Sequence, residues 1–470
     1  MRKIAFLFGF LAGCAAGPDY VRPQLEAPAQ FKEMQGWRPA EPRDALPRGS
    51  WWTMFGDREL DALMARVDLS NQTLRAAEAR FRQSRALADQ ARAALFPALS
   101  ANASATRSKS PSLSNQPSFA VGAVNNYNVA LNTSWELDVW GRVRRSVEAG
   151  EASWQASAAE LEAARLSAYA ALAQNYFALR VADATRQVLQ DTVAAYERTL
   201  ELTRNRYAAG VVARVDVVQA EVQWKSAQAQ LIDVGVERAQ LEHAIALLVG
   251  EAPAAFSIER APFAASMPAI PVGLPSELLE RRPDIAAAER NAAAANARIG
   301  VAQAAFFPTV TLSGAAGFRS IDSANLFTTP SRFWSLGAAL AQAVFDGGLR
   351  EAQKQQAIAV YDEDAATYRQ TVLTAFQEVE DNLAALRILE EEAKVQEDAV
   401  RAARESVILT TNQYKAGTVS FLNVAVVQAS QLNNERAAMV TLGRRLVAAV
   451  TLVKALGGGW RAAEIAADNR

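Results

Sequence analysis

The chain repeats itself at long period. Phe96-Pro97 recurs as Phe307-Pro308, 211 residues on, and Tyr207-Ala208-Ala209-Gly210 recurs as Tyr414-Lys415-Ala416-Gly417, 207 residues on. Between these markers each half reads in one order: a helix stopped by Phe-Pro, an alternating strand, a loop, a second alternating strand, a Gly turn and a very long helix. Solenoid units run to about 20–50 residues, so a period of roughly 200 makes each copy a large module of strand and helix together.

The strands are unusual for a chain so rich in helix. Leu99, Ala101, Ala103 and Ala105 alternate with Ser100, Asn102, Ser104 and Thr106. Tyr127, Val129, Leu131, Trp135 and Leu137 oppose Asn128, Asn132, Ser134, Glu136 and Asp138. The second copy repeats the pattern with Val310, Leu312, Ala316 and Phe318, then with Trp334, Leu336, Ala338 and Leu340. Each run lasts about 9–11 residues, the length of a tilted membrane-spanning strand. A period of two suits a wall with one apolar and one wet face. Soluble hairpins packed on helices would alternate too. Against them stand aromatics at the strand ends (Tyr127, Trp135, Phe318, Trp334) and Ser/Asn/Pro-rich loops over 109–126 and 320–332. Membrane barrels start at about eight strands, and open edges are not tolerated in lipid. Four strands therefore imply several copies of the chain around one barrel: two would give eight strands and three would give twelve.

The helices also ask for neighbours. All 17 prolines avoid residues 118–252 and 331–470. Within those spans Tyr169, Leu172, Tyr176 and Leu179 step by three and four, as do Val193, Tyr196, Leu200, Thr203 and Tyr207. The second copy carries matching seams, Phe376, Val379, Leu383 and Leu386, then Val400, Ala403, Val407, Thr410 and Tyr414. Sustained 3/4 spacing is coiled-coil packing. A helix over 142–207 would be about 100 Å long, more than a globular core uses. A second helix is expected to run over 57–95, and Asp284 to cap the helix that opens the second copy.

Gly210 and Gly417 end the long helices in the residue best suited to a left-handed cap. After them Asp216 and Asn423 stand where N-caps of the returning helices are expected. These turns are the tips of helical hairpins, far from the strands.

Composition narrows the functions. A net charge of −1 offers no nucleic-acid surface, and one Cys with one His leaves no intrachain disulfide, no His/Cys metal cluster and no Cys-His or Ser-His pair. No catalytic residue, metal or cofactor is assigned, and the chain is not expected to be an enzyme. Met1-Arg2-Lys3, the apolar run Ile4 to Leu11 and Leu11-Ala12-Gly13-Cys14 make a secretory signal too short to span a bilayer. This segment resembles a bacterial lipobox, which implies cleavage before Cys14 and acylation of it; Ala15, rather than Asp, favours the outer membrane. Several acyl chains, at ~0.8 kcal/mol per buried CH₂, make a stable anchor.

Several strings together resemble one family. They are Leu11-Ala12-Gly13-Cys14, Pro18-Asp-Tyr-Val-Arg-Pro23, Trp135-Glu-Leu-Asp-Val-Trp-Gly-Arg142, Gly273-Leu-Pro-Ser-Glu-Leu-Leu-Glu-Arg-Arg-Pro-Asp-Ile285, Phe345-Asp-Gly-Gly348 and Lys454-Ala-Leu-Gly-Gly-Gly-Trp460. The chain is similar to the TolC/OprM outer-membrane efflux lipoproteins, the branch with the NodT-type subunits. The resemblance implies an α+β membrane protein in which four membrane strands and long coiled-coil helices per chain build, as a homotrimer, a 12-stranded β-barrel continuous with an α-helical barrel. It implies a passive exit duct in the outer membrane, served by a periplasmic adaptor (membrane fusion) protein and an inner-membrane pump of the resistance-nodulation-division (RND) type. A type I secretion duct and an acylated periplasmic coiled-coil scaffold without a pore are the competing readings.

In that family the tips close the periplasmic end through an acid on the first hairpin that pairs with Tyr and Arg on the second. By position Asp216 is the acid and Tyr414 the Tyr. Val419 stands where the Arg is expected, and Asn423 where an acid is common. The expectation is that Asp216 pairs with Tyr414 and one of the nearby cations Arg206, Arg214 or Lys415; as an alternative Asp216 is a helix cap alone. Gly210, Val212, Gly417 and Ser420 mark the expected adaptor-docking tips. The organisation expected is a signal peptide over 1–13, an acylated extended arm over 14–56, a first repeat over 57–250 with its tip at 207–216, a linker over 251–283 with a short helix over 276–280, a second repeat over 284–457 with its tip at 414–423, and a tail over 458–470.

Overall fold

The structure, a computed structural model, describes residues 15–24, 28–33, 50–109, 122–261, 263, 267, 268, 270 and 281–458. The signal segment 1–13, Cys14, a short helix expected over 276–280 and residues 459–470 lie outside them. Helices α1 (Arg58–Ser70) and α2 (Gln72–Ala93) lead to strands β1 (Ala98–Ser108) and β2 (Val124–Leu137), then to α3 (Arg142–Ala208) and α4 (Arg214–Leu248). The second copy supplies α5 (Pro283–Ala304), β3 (Thr309–Ser320), β4 (Arg332–Ala341), α6 (Leu349–Lys415) and α7 (Phe421–Ala455). Helices α3 and α6 each have 67 residues, α4 and α7 each have 35, and every boundary in the second pair falls 207 residues after its counterpart.

Two helix starts differ from expectation, each for a side-chain reason. The helix expected over 57–95 is broken at Asn71, whose carbonyl side accepts from Leu74 N at 3.0 Å while its amide donates to Leu248 O at 2.7 Å. Asn71 thus caps α2 and pins it to the end of α4. Asp284 does not cap α5. That helix begins at Pro283, a residue that fits the first position, and Asp284 is held in the first turn by both arms of Arg282 at 2.6 and 3.0 Å.

The four strands form one antiparallel sheet in the order β1-β2-β3-β4. Cross-strand partners share a face, so the register sorts the side chains. Ala101 faces Leu131 and Ala103 faces Val129; Val129 faces Phe318 and Trp135 faces Leu312; Leu312 faces Ala338 and Ala316 faces Trp334. Every apolar row therefore lies on the same face. That face is open: Leu99, Leu131, Trp334, Leu336 and Leu340 are exposed, although leucine is among the residue types most often buried in soluble proteins. Among the described residues strands β1 and β4 also keep one unpaired edge each.

Where β3 passes β2, Gly317 lies so near the neighbouring backbone that an added Cβ would stand 2.6 Å from Ala130 Cα. Gly317→Ala is expected to cost about 1–3 kcal/mol, because backbone rather than a side-chain tip must move. Gly314→Ala, which meets only Thr133 and Leu336 side chains first, should cost less. Heat-modified gel mobility of the two variants checks the order.

The described residues fall into two compact units. One draws on 15–24, 80–157 and 287–369 and contains the whole sheet; the other draws on 28–79, 158–286 and 370–458 and is helical. In the helical unit the short turn Trp51–Phe55 and Leu60, Leu63, Met64 and Val67 of α1 bury against α3, with Trp52 on Tyr169 at 4.6 Å and Phe55 on Phe177 at 4.7 Å. Among the described residues no helix is long and apolar enough to cross a membrane.

Candidate functional site

The hairpin tips are built in duplicate. Gly210 (φ +74°) follows α3 and Gly417 (φ +78°) follows α6, both in the left-handed region. Val211 N donates to Arg206 O and Gly210 N to Tyr207 O, each at 2.9 Å; Thr418 N and Gly417 N repeat the pair onto Gln413 O and Tyr414 O at 3.0 Å. These bonds satisfy the carbonyls a helix end leaves orphaned. The returning helices begin earlier than expected, at Arg214 and Phe421, with Ala213 and Ser420 in the cap positions and no side-chain capping bond at either. Asp216 and Asn423 are therefore third residues of their helices. An acid in a first turn still suits the positive end of the helix dipole.

Tyr414 is the buried centre of the tips, packed with Leu200, Ala220, Phe421 and Val424, and with Val212 and Val419 against their rim. Its ring meets Phe421 edge-on at 5.9 Å, and its hydroxyl donates to Thr203 Oγ1 at 3.3 Å. Arg206 of the first hairpin lies over the Tyr414 ring at 4.5 Å and donates to the Tyr414 carbonyl and, at 3.4 Å, to the Lys415 carbonyl. A cation on the last carbonyls of α6 stabilises that helix end, and a guanidinium on a ring face adds about 0.5–2 kcal/mol. Further along, Gln223 Nε2 donates to Ala425 O at 2.7 Å and Gln428 Nε2 to Thr199 Oγ1 at 3.1 Å.

Of the residues singled out in the sequence, the fold brings Arg206, Tyr414, Val212 and Val419 together. Asp216 is half-buried, and its carboxylate has no partner among the described residues; the Arg214, Lys415 and Asn423 side chains are exposed and have none there either. Val419 takes an apolar place in the tip core, and Arg206 supplies the cation from the opposite hairpin. Gly210 faces open space, and Ser420 is exposed.

A second feature is the seat of the arm that begins one residue after Cys14. Ala16 N donates to Trp140 O at 2.9 Å, and Asn296 Nδ2 donates to Pro18 O at 3.0 Å. Arg145, nearly buried, donates to Asp19 Oδ1 at 2.7 Å and to the Ala16 and Gly17 carbonyls at 3.3 Å. Gly17 (φ +94°) lies backbone to backbone with Gly300, so neither position has room for a side chain.

Sequence reasoning missed a third feature, a pair of matched joints. Asn71 donates to Leu248 O, and Arg282, 211 residues on, donates at 3.2 Å to Ala455 O, 207 residues on. Arg282 also holds Glu378 at 2.6 Å. Beside each joint a left-handed glycine, Gly250 or Gly457, leaves no room for a Cβ against the carbonyl of Ser70 or Arg281. The signal was present in the string Arg281-Arg282-Pro283-Asp284, which carried resemblance before it carried a physical role.

The family model described as outer membrane efflux protein matches residues 63–251 and 274–458. The chain is 32% identical over 459 residues to the probable efflux pump outer membrane protein TtgC of Pseudomonas putida, covering 97% of this chain and 94% of that protein. It is 34% identical over 460 residues to outer membrane protein OprJ of Pseudomonas aeruginosa, covering 96% and 94%. Among solved structures, the outer-membrane channel OprN superposes with a TM-score of 0.89 at 31% identity, covering 95% of this chain and 100% of that one. The open state of the Neisseria gonorrhoeae MtrE outer membrane channel gives 0.82 at 30% identity, covering 95% and 99%.

Proposed function

The chain belongs to the outer membrane efflux protein family, and from that premise we propose that it is the passive exit duct of a tripartite efflux pump. The observation that carries this reading is the sheet, four strands with every apolar row on one exposed face and an unpaired edge on each side. Such a sheet is a sector of a wall. Lipid on its apolar face and further copies at its edges satisfy both demands at once. Three copies make twelve strands, and six long helices with their six returning partners continue the duct. Energy comes from an inner-membrane RND-type pump, and a periplasmic adaptor bridges to the tips, docking at Gly210, Val212, Gly417 and Ser420. Acyl chains on Cys14 anchor the arm whose next residues are already clamped to Trp140, Arg145 and Gly300. One relative is named for toluene efflux and another for pyoverdine export. The duct proposed here carries small molecules of that kind.

The tips are the proposed gate. Arg206 and Tyr414 latch the two hairpins of one copy, and the unpaired Asp216 reaches a cation, Arg214 or Lys415, of the adjacent copy. An exposed pair contributes only about 0–1 kcal/mol, but threefold symmetry supplies three. A loss of about 1–2 kcal/mol shifts a closed–open ratio about 5–30-fold.

Planar-bilayer recordings of the purified full chain test both parts. Wild type should conduct weakly, and Asp216→Ala and Arg206→Gln should raise the mean conductance several-fold. Tyr414→Phe, which loses only the bond to Thr203, should raise it less. Unchanged conductance in all three would end the gate reading and leave the channel standing; absence of current even from them would end both.

A further inference from the structure

Cations are distributed unevenly over the sheet. At its helix end Arg142 holds Glu136 at 2.5 Å, Arg144 holds Asp138 at 3.0 Å and Arg350 holds Asp346 at 2.6 Å. At its loop end Arg107, Arg319 and Arg332 have no carboxylate partner among the described residues. The acid nearest in sequence, Asp322, is occupied by its own turn, accepting from Ala324 N at 3.1 Å and Asn325 Nδ2 at 2.8 Å. Residues 110–121 contain no charged residue. Four cations (Arg107, Lys109, Arg319, Arg332) thus stand against one acid, a net +3 at this end of a chain whose total is −1.

The three arginines do not share a face. Arg107 continues the row of Leu99, Ala101, Ala103 and Ala105, and Arg332 pairs with Phe318, which places both on the apolar face. Arg319 pairs with Asn128 on the polar face, its guanidinium 4.9 Å over Phe333. Arg332 lies 5.9 Å over Phe318, which itself packs on Phe327 at 5.4 Å. Tyr127 and the exposed Trp334 share that face, so the outward arginines stand at the rim of an aromatic belt. They are also on the two edge strands. Any closure of the wall by further copies brings the loop end of β1 from one copy and of β4 from the next to the same seam.

An arginine without a counter-charge on a lipid-facing surface, level with interfacial aromatics, has its guanidinium at headgroup depth. The guanidinium fork matches phosphate oxygens in pairs. We propose that Arg107 and Arg332 form, at each seam, a binding site for the phosphate groups of the glycolipid that makes up the outer leaflet of bacterial outer membranes. This rests on the outer-membrane reading above, which makes the apolar face a lipid face and the loop end its outer rim. The inward Arg319 serves as the internal control, having the same charge at the same height on the other face.

The test titrates purified full chain in detergent with bis-phosphorylated lipid A, its dephosphorylated form and phosphatidylglycerol, with binding read by native mass spectrometry. Bilayer conductance is recorded on the same preparations. Arg107→Gln/Arg332→Gln should weaken bis-phosphorylated lipid A binding by about tenfold or more, two headgroup charges being lost per seam. Arg319→Gln should bind as wild type, and dephosphorylated lipid A and phosphatidylglycerol should bind wild type more weakly. Equal binding by the double variant, an equal loss in Arg319→Gln, or equal binding of either comparison lipid overturns the site. Current from wild type alongside any of those results overturns this inference alone; no current from wild type or the gate variants removes its premise instead.

Discussion

Gly250→Ala and Gly457→Ala should each strip assembled protein from the outer membrane, while Gly210→Ala should not. All three glycines are left-handed, with φ of +72°, +88° and +74°. An L-residue in that conformation costs about 1–2 kcal/mol. The surroundings separate them. At Gly210 an added Cβ meets nothing within 4 Å, whereas at Gly250 and Gly457 it would land on the backbone of Ser70 and of Arg281. A carbonyl inside a helical joint does not swing aside like a side-chain tip, so overpacking adds about 1–3 kcal/mol. The expected cost is therefore about 2–5 kcal/mol at each joint against about 1–2 kcal/mol at the tip. Thermal unfolding of the purified chain, with the amount of heat-modifiable oligomer in outer-membrane fractions, checks the ordering. Three equal shifts would mean that backbone conformation, and not the joints, sets the cost.

Those joints mark where sequence reading stops. The strand faces were legible because the side-chain period is two: once Leu99, Val129, Leu312 and Leu336 are assigned outward, alternation sorts every other residue to a face, and the structure adds the register. The seams of α3 were legible for the same kind of reason, and Tyr169, Leu172, Tyr176, Leu179, Leu200 and Thr203 are all buried. Tyr207, the last of that seam, is exposed in the final turn of α3. The break at Asn71 was not legible. Asn costs a helix interior only about 0.7 kcal/mol, and what makes it a cap and a clasp is Leu248, 177 residues distant. The starts of α4 and α7 were placed late because Ala213 carries no capping side chain and the Ser420 hydroxyl makes no capping bond. At the tips the sequence named Tyr414 and three candidate cations, of which the fold brings Arg206 alone to Tyr414, and it paired them with Asp216. The reach of a guanidinium onto the Tyr414 carbonyl depends on how two hairpins pack, which no local pattern encodes.

Asp183→Ala should be the most costly charge removal in the helical unit, about 3–5 kcal/mol. Its carboxylate is almost fully buried between two nearly buried arginines, accepting from Arg238 Nε at 2.7 Å and from Arg180 Nη1 at 3.4 Å. Each arginine goes on to hold other chain segments. Arg180 donates to Tyr176 Oη at 3.2 Å and Glu259 O at 2.8 Å and pairs with Glu59 at the start of α1. Arg238 donates to Ile258 O at 2.7 Å and pairs with Glu242 at 3.2 Å. Burial raises the Tyr176 hydroxyl above the ordinary tyrosine range, which keeps it protonated and donating to Asp57 Oδ2 at 2.7 Å. Among the described residues Asp183 is the carboxylate that meets both guanidiniums, joining α3 to α4 and, through them, to the chain that leaves α4. Removing it takes away the carboxylate between two buried guanidiniums and leaves Arg180 to Glu59 and Arg238 to Glu242. Removing the pair is a different matter, because Asp183→Leu with Arg238→Met leaves Arg180 its bonds to Glu59 and Tyr176 and exchanges a buried ion pair for apolar packing. The double variant should be more stable than Asp183→Leu alone, with a coupling of about 1–3 kcal/mol in a mutant cycle. Melting temperatures of the four proteins decide it: if the two single costs simply add, the residues act independently, and the segment after α4 is held by packing instead of by this shared charge.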